Sequence, residues 1–281
     1  TGRPPSPPGR GAGVRAVQAP VLTHRVEGVG EPVLLLNGGL MTLGSWEPLA
    51  ASLRERFQVL RCDFRGQLLS PGEPPATLDG HAADVAALLD RLGLKSAHVV
   101  GTSFGALVGI VLAARQPGRV RSLVLVTATE RLGEGVEQGR ALCAAAAREA
   151  AAGGDRAAAW DILTAATFSP AYREAQAAVL SARRAQLHLL PAAWFAGAAA
   201  LLDALAGLDL RPLLPQVGCP TLVIAAGRDE TFAPEHSRAL AHGIPGARLL
   251  VVEGSGHALV VEQPEALRAL VEGFLEERGR S

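Results

Sequence analysis

The sequence predicts a doubly wound α/β fold, a mostly parallel sheet with a helical lid inserted late in the chain. Three features predict it: short apolar runs spaced along the chain, helical periodicities between them, and one long alanine-dominated interval where the alternation stops. The apolar runs are "PVLLLNG" (32–38), "FQVLRCD" (57–63), "SAHVVG" (96–101), "VRSLVLVTA" (120–128), "PTLVIAAG" (220–227) and "ARLLVVEG" (247–254). Their hydrophobicity is continuous instead of alternating, the pattern of strands buried on both faces of a parallel sheet.

Taken in order, residues 1–20 are rich in Pro, Gly and Arg without apolar periodicity, and read as a flexible arm. After the first strand, Trp46 is placed to staple the first helix to the sheet. Val85, Leu88, Leu89 and Leu92 follow the i, i+3, i+4, i+7 spacing of a helix, and Gly93 stands where a left-handed C-terminal cap is wanted. From about 130 to 210 the chain is Ala-dominated, poor in β-branched residues, and punctuated by Gly153-Gly154, Pro170 and Pro191. That composition reads as several helices forming a lid between two strands. Leu267, Leu270, Val271 and Phe274 then repeat the helical spacing behind Pro264, a residue favoured in a first turn. The expected division is therefore a core of residues 21–129 and 211–281, with residues 130–210 as the lid.

Composition narrows the partners. Basic and acidic residues balance at 27 each in 281 residues, without the clustered basic excess that nucleic acid or an anionic membrane surface requires. The longest apolar stretch, near "AAWFAGAAALL" (192–202), is too short to span a bilayer. Cys62, Cys143 and Cys219 form no CxxC pair or zinc-type cluster, so neither a disulfide framework nor a metal site is indicated; no cofactor is expected either. A reduced, cytoplasmic setting fits them. No signal peptide is visible, while a chain starting at Thr1 leaves room for a removed leader.

The chemistry concentrates in "HVVGTSFGALVGI", residues 98–110. Gly-x-Ser-x-Gly specifies little by itself, but here a strand precedes it, and Phe104, Leu107, Val108, Val111 and Leu112 follow it at helical spacing. Ser103 therefore falls on a sharp strand-to-helix turn. Gly101 and Gly105 remove the Cβ atoms that would collide there, and the helix N-terminus sets backbone N–H groups beside the hydroxyl. A serine hydroxyl needs a base, and the base needs an orienting carboxylate. Asp229 follows a strand in "LVIAAGRDETFAPEH", with Glu230 the neighbouring alternative, and His257 lies in a Gly-rich loop after the last strand. The other six histidines, His24, His81, His98, His188, His236 and His242, share no metal spacing and read as surface or structural residues.

With "GTSFG", "GRD…P" and "GSGHA…EQPEAL" in this order, the chain over about residues 21–278 resembles a lidded α/β-hydrolase, in particular serine esterases, enol-lactonases and C–C-bond hydrolases. The resemblance implies a Ser103–His257–Asp229 triad that works through an acyl-enzyme. It also implies an oxyanion hole built from the N–H groups of Phe104 and Gly39. Two departures stand out. Asn37 replaces the usual His before Gly38-Gly39, and "DFRGQLLS" (63–70) keeps Asp63, Arg65, Gly66 and Ser70 of the family's Asp-x-Arg-Gly-His-Gly-x-Ser while changing the next two positions to Gln67 and Leu68.

The expected activity is hydrolysis of a largely apolar carboxylic ester or lactone. C–C-bond or thioester hydrolysis with the same triad is the alternative, and a non-catalytic ligand receptor the reading outside enzymology. Leu40 and the aromatics Trp160, Phe168, Trp194 and Phe195 are the candidates to line the pocket.

Overall fold

The computed structural model describes residues 22–68, 70 and 72–279. The arm expected at residues 1–20 lies outside them. The strands are β1 His24–Glu27, β2 Glu31–Leu36, β3 Phe57–Cys62, β4 Ala97–Thr102, β5 Val120–Val126, β6 Thr221–Ala226 and β7 Arg248–Val252. They form one sheet in the order β1-β3-β2-β4-β5-β6-β7. Every neighbouring pair is parallel except β1 with β3. β1 was not among the predicted strands. It is a four-residue edge strand whose side chains are half-buried or exposed, so it carries no continuous apolar run.

The helices are α1 Glu47–Leu53, α2 Leu78–Arg91, α3 Phe104–Arg115, α4 Glu134–Ala151, α5 Arg156–Thr167, α6 Pro170–Ala175, α7 Ala177–Ala185, α8 Ala192–Asp203, α9 Pro234–Gly243, α10 Leu259–Glu262 and α11 Pro264–Gly279. Alternate strand residues feed two separate cores, because successive side chains of a strand point to opposite faces. On one face Leu34, Leu36, Leu60, Val99, Leu123 and Val223 pack with residues of α2, α3 and α9. On the other, Val33, Leu35, Val59, Val100, Val124 and Ile224 pack with Leu49 and Leu53 of α1 and with Leu267, Val271 and Phe274 of α11. Each such side chain contributes about 1.5–3 kcal/mol when taken out of water.

Helix ends follow local chemistry. Thr77 caps α2 by accepting from Gly80 N, and Gly93 ends that helix at φ +68. There Leu94 N donates to Leu89 O (2.8 Å) and Gly93 N to Asp90 O (3.0 Å), the paired bonds of a Schellman cap. Helices α4–α8 form a single insertion between β5 and β6. Its two ends are pinned together by Leu132 N to Leu208 O (3.0 Å) and Leu210 N to Glu130 O (2.8 Å).

After β2 the chain adds β3 on one side, then crosses back to place β4 on the other. The C-terminal ends of β2 and β4 therefore flank a topological switch point, where an open α/β sheet leaves a crevice. The elements that meet there are closely packed. A Cβ on Gly101 would lie 2.5 Å from the Gly105 carbonyl oxygen, so strand and helix touch through backbone alone. A Cβ on Gly105 would lie 2.4 Å from Leu36 O and 2.6 Å from Asn37 O, which brings α3 directly against the end of β2.

Gly105→Ala is expected to cost at least about 1–3 kcal/mol, since two backbone segments must separate. Gly118→Ala, where a Cβ would meet nothing within 4 Å, should stay within about 0.5 kcal/mol of wild type. Urea unfolding of the two variants beside wild type checks both values.

Candidate active site

Ser103 joins β4 to α3 at φ +49, ψ −120, a left-handed conformation that a residue with a Cβ adopts at a cost of about 1–3 kcal/mol. The strain is held in place by Ser103 N donating to Val126 O of β5 (2.9 Å) and by Ala106 N donating to Ser103 O (2.9 Å). The turn leaves the half-buried Ser103 side chain at the carboxyl edge of the sheet.

His257 reaches it from the loop between β7 and α10, and its Nε2 lies 2.9 Å from Ser103 Oγ. On the other side its Nδ1 lies 2.9 Å from Asp229 Oδ2, in the loop after β6. Asp229, not Glu230, takes this place. An ionised carboxylate only accepts, so Nδ1 carries the proton and Nε2 turns its lone pair to the serine hydroxyl. Asp229 is fixed in turn, its Oδ1 accepting from Thr231 N (2.9 Å) and Phe232 N (2.8 Å). The Phe232 ring stands edge-on to the imidazole, 5.1 Å between centroids. The Asp229 and His257 side chains are 1% and 10% exposed, so the bonds that orient them are shielded from competing water.

Two backbone donors remain unspent beside this hydroxyl. Phe104 N–H opens helix α3, and Gly39 N–H lies in the loop after β2; among the described residues neither donates to a protein group. The Gly38–Gly39 loop runs past the serine, since a Cβ on Gly38 would be 3.7 Å from Ser103 Cβ. Leu40 carries the loop against Ala147 of α4 and Ala198 and Ala199 of α8.

The remaining predicted pocket residues sit differently. Trp160, Phe168 and Trp194 are half-buried, with Phe168 stacked on Tyr172. Phe195 is fully buried among Ala146, Ala150 and Ala159, inside the insertion itself.

Several contacts around the site join residues far apart in the sequence and could not be read from it. Glu262, at the end of α10, accepts from Gly256 N (2.9 Å), from Ser169 N (2.8 Å) and from Ser169 Oγ (2.7 Å). Ala258 N donates to Thr167 O (3.0 Å), and Thr231 Oγ1 to Ala166 O. The segment 166–169, which joins α5 to α6, is thereby stitched to both neighbours of His257 and to the Asp229 loop. The segment after β3 is braced as well: Arg65 forms a two-pronged pair with Asp84 (2.9 and 2.7 Å), and Ser70 Oγ donates to Asp63 O (2.6 Å).

Beneath the elbow, the His81 ring packs edge-on against both Phe64 and Phe104. Burial lowers its pKa from 6.5 to about 4; the Arg65 charge adds to this, and the Pro75 carbonyl opposes it.

The alpha/beta hydrolase fold family matches residues 31–264. The chain belongs to the α/β-hydrolase family. A provisionally named carbamate hydrolase, RutD of Azorhizobium caulinodans, is 31% identical to this α/β-hydrolase over 265 residues, covering 91% of the chain and 95% of the relative. The crystal structure of an enol-lactonase from Burkholderia xenovorans LB400 superposes with a TM-score of 0.79 at 30% identity, covering 91% of this chain and 96% of that one. A thermophilic esterase from Thermogutta terrifontis superposes with a TM-score of 0.78 at 27% identity, covering 92% and 93%. Hydrolysis is the activity class of this α/β-hydrolase. Among the described residues, no helix is long and apolar enough to cross a membrane.

His81 makes stability depend on pH. Its folded pKa lies below the unfolded value, so between about 6.5 and 4 the unfolded chain binds more protons. The contribution of neutral His81 is full above 6.5 and is lost as pH falls toward 4. Thermal unfolding followed across this range is expected to show a falling Tm that flattens in His81→Phe.

Proposed function

We propose that this hydrolase cleaves a largely apolar carboxylic ester or lactone through an acyl-enzyme on Ser103. The observation that carries the proposal is His257 bonded at once to Ser103 Oγ and to Asp229 Oδ2, each at 2.9 Å. In this reading His257 Nε2 takes the hydroxyl proton as Ser103 Oγ bonds to the acyl carbon. The N–H groups of Phe104 and Gly39 stabilise the oxyanion that forms. His257 then gives its proton to the departing alkoxide, and the acyl–oxygen bond breaks. A water repeats the sequence in reverse order of roles, delivering the acid and restoring Ser103. Water is the only co-substrate this chemistry requires. One oxyanion donor is commonly worth about 2.7–4 kcal/mol of barrier.

The helices α4–α8 act in this proposal as a lid, with Leu40, Trp160, Phe168 and Trp194 facing an apolar acyl or alcohol group. The insertion meets the site at Leu40 and at segment 166–169, which supports that role. The enol-lactonase and esterase likenesses favour an ester or lactone carbonyl. A second reading, a carbamate, is favoured by the name of the 31% identical relative, and differs only in the nitrogen borne by the attacked carbon.

Steady-state hydrolysis of a p-nitrophenyl ester series from short to medium acyl chains, with a p-nitrophenyl carbamate alongside, tests the proposal. Wild type is expected to turn over esters faster than the carbamate, and Ser103→Ala to lose about 10⁴–10⁶-fold in kcat while melting like wild type. Carbamate as the better substrate would shift the reading to the second class. No turnover of either by folded wild type contradicts both.

A further inference from the structure

Asn37 and Gln67, two positions where the chain departs from the family's sequence pattern, meet in the fold. We propose that Gln67 is a positioning residue for the Gly39 N–H, at the end of a directed hydrogen-bond relay that begins at Trp46. The inference rests on the reading of Ser103 as a nucleophile whose oxyanion that N–H receives.

The direction of the relay follows from donor and acceptor chemistry. The indole N–H of Trp46 can only donate, and it lies 2.9 Å from Asn37 Oδ1. This turns Asn37 Nδ2 toward Asp63 Oδ1 (2.9 Å) and Gln67 Oε1 (3.2 Å). Gln67 Oε1 also accepts from Phe64 N (2.8 Å), so the amide of Gln67 faces the other way. Its Nε2 donates to Gly38 O (2.9 Å) and Met41 O (3.2 Å). Gly38 C=O and Gly39 N–H belong to one trans peptide, and in a trans peptide these two bonds point in opposite directions. Gly38 O also accepts from Met41 N (3.1 Å), so the turn and Gln67 hold the carbonyl together, and holding the carbonyl aims the N–H.

Every side chain of the relay is buried: Trp46 and Asn37 fully, Gln67 to within 5% exposure. A donor chain of this kind in a low-dielectric interior polarises each successive bond, making the terminal N–H a stronger donor. The far side of Gly39 is open, since a Cβ there would meet nothing within 4 Å. The loop that bears Gln67 is itself pressed from above: a Cβ on Gly197 of α8 would lie 1.9 Å from Gly66 O. The two sequence departures are thus the two ends of one hydrogen bond, a matched pair.

Gln67→Met fills a similar volume and removes the amide donor to Gly38. The kcat/KM for a p-nitrophenyl ester is expected to fall about 10- to 100-fold, mainly through kcat. The preference for that ester over its thionoester should shrink by a similar factor, because sulfur accepts hydrogen bonds weakly and gains little from an aimed N–H. Gln67→His, which can return an N–H at this place, should recover part of both. A folded Gln67→Met variant with wild-type rate and preference overturns the proposal. Equal slowing of ester and thionoester also does, since that marks a merely structural residue.

Wild type inhibited by a p-nitrophenyl phosphonate gives a test that needs no variant to fold. In its crystal structure the phosphonyl oxygen is expected about 3 Å from both Gly39 N and Phe104 N, with Gly38 O still accepting from Gln67. A phosphonyl oxygen away from Gly39 N, or a Gly38 carbonyl turned from Gln67, contradicts the relay. Wild type that neither cleaves ester nor takes phosphonate on Ser103 contradicts the proposed function, a failure distinct from an active enzyme indifferent to Gln67.

Discussion

The rest of the structure depends on the turn at Ser103. A residue with a side chain is held at φ +49 between β4 and α3, and that conformation survives only because its surroundings over-determine it. Gly101 lets the strand touch the helix, Gly105 lets the helix touch the end of β2, and Ser103 N is tied to β5. The same contact that forces α3 against Leu36 and Asn37 brings the Gly38–Gly39 loop past the serine. The strain at Ser103 and the nearness of the Gly38–Gly39 loop thus have one cause.

Around this turn the chemistry is held by bonds from distant parts of the chain. Asp229 is fixed by the backbone of its own loop, while His257 is flanked by Gly256 and Ala258, whose N–H groups reach Glu262 and Thr167. Glu262 also holds Ser169, so the insertion and the histidine loop share one carboxylate. On the opposite side of Ser103, α8 rests on Gly66, beside Gln67. The insertion therefore touches both the His257 loop and the loop that bears Gln67.

Much of this was legible in the sequence, for physical reasons that also set the limit. Six strands could be read because burial on both faces leaves an unbroken apolar run; β1 could not, being a short edge strand with mixed exposure. Gly93 and the glycines of the elbow could be read because a positive φ or a backbone crossing admits little else. Ser103, Asp229 and His257 could be placed because the strand ends that carry them are recognisable, and the structure brings the three into one hydrogen-bonded row. Gln67 was visible only as a departure, since its partner Asn37 is 30 positions away and pairing across such a distance leaves no local pattern. Glu262 stands in the recognisable "EQPEAL" segment, but its bond to Ser169, 93 positions away, leaves no local pattern either. His81 read as surface or structural; the fold buries it against Phe104, where an apolar helix face left its role unmarked.

Under the proposed mechanism the strained Ser103 becomes acylated during turnover. Rapid-quench mass spectrometry of the wild-type protein mixed with p-nitrophenyl acetate tests it most directly. The account predicts an acetyl group on the peptide bearing Ser103 within the first turnover, appearing with the initial release of nitrophenol and decaying as acetate forms. Turnover without acylation of that peptide, or with the acetyl group on another residue, would contradict it.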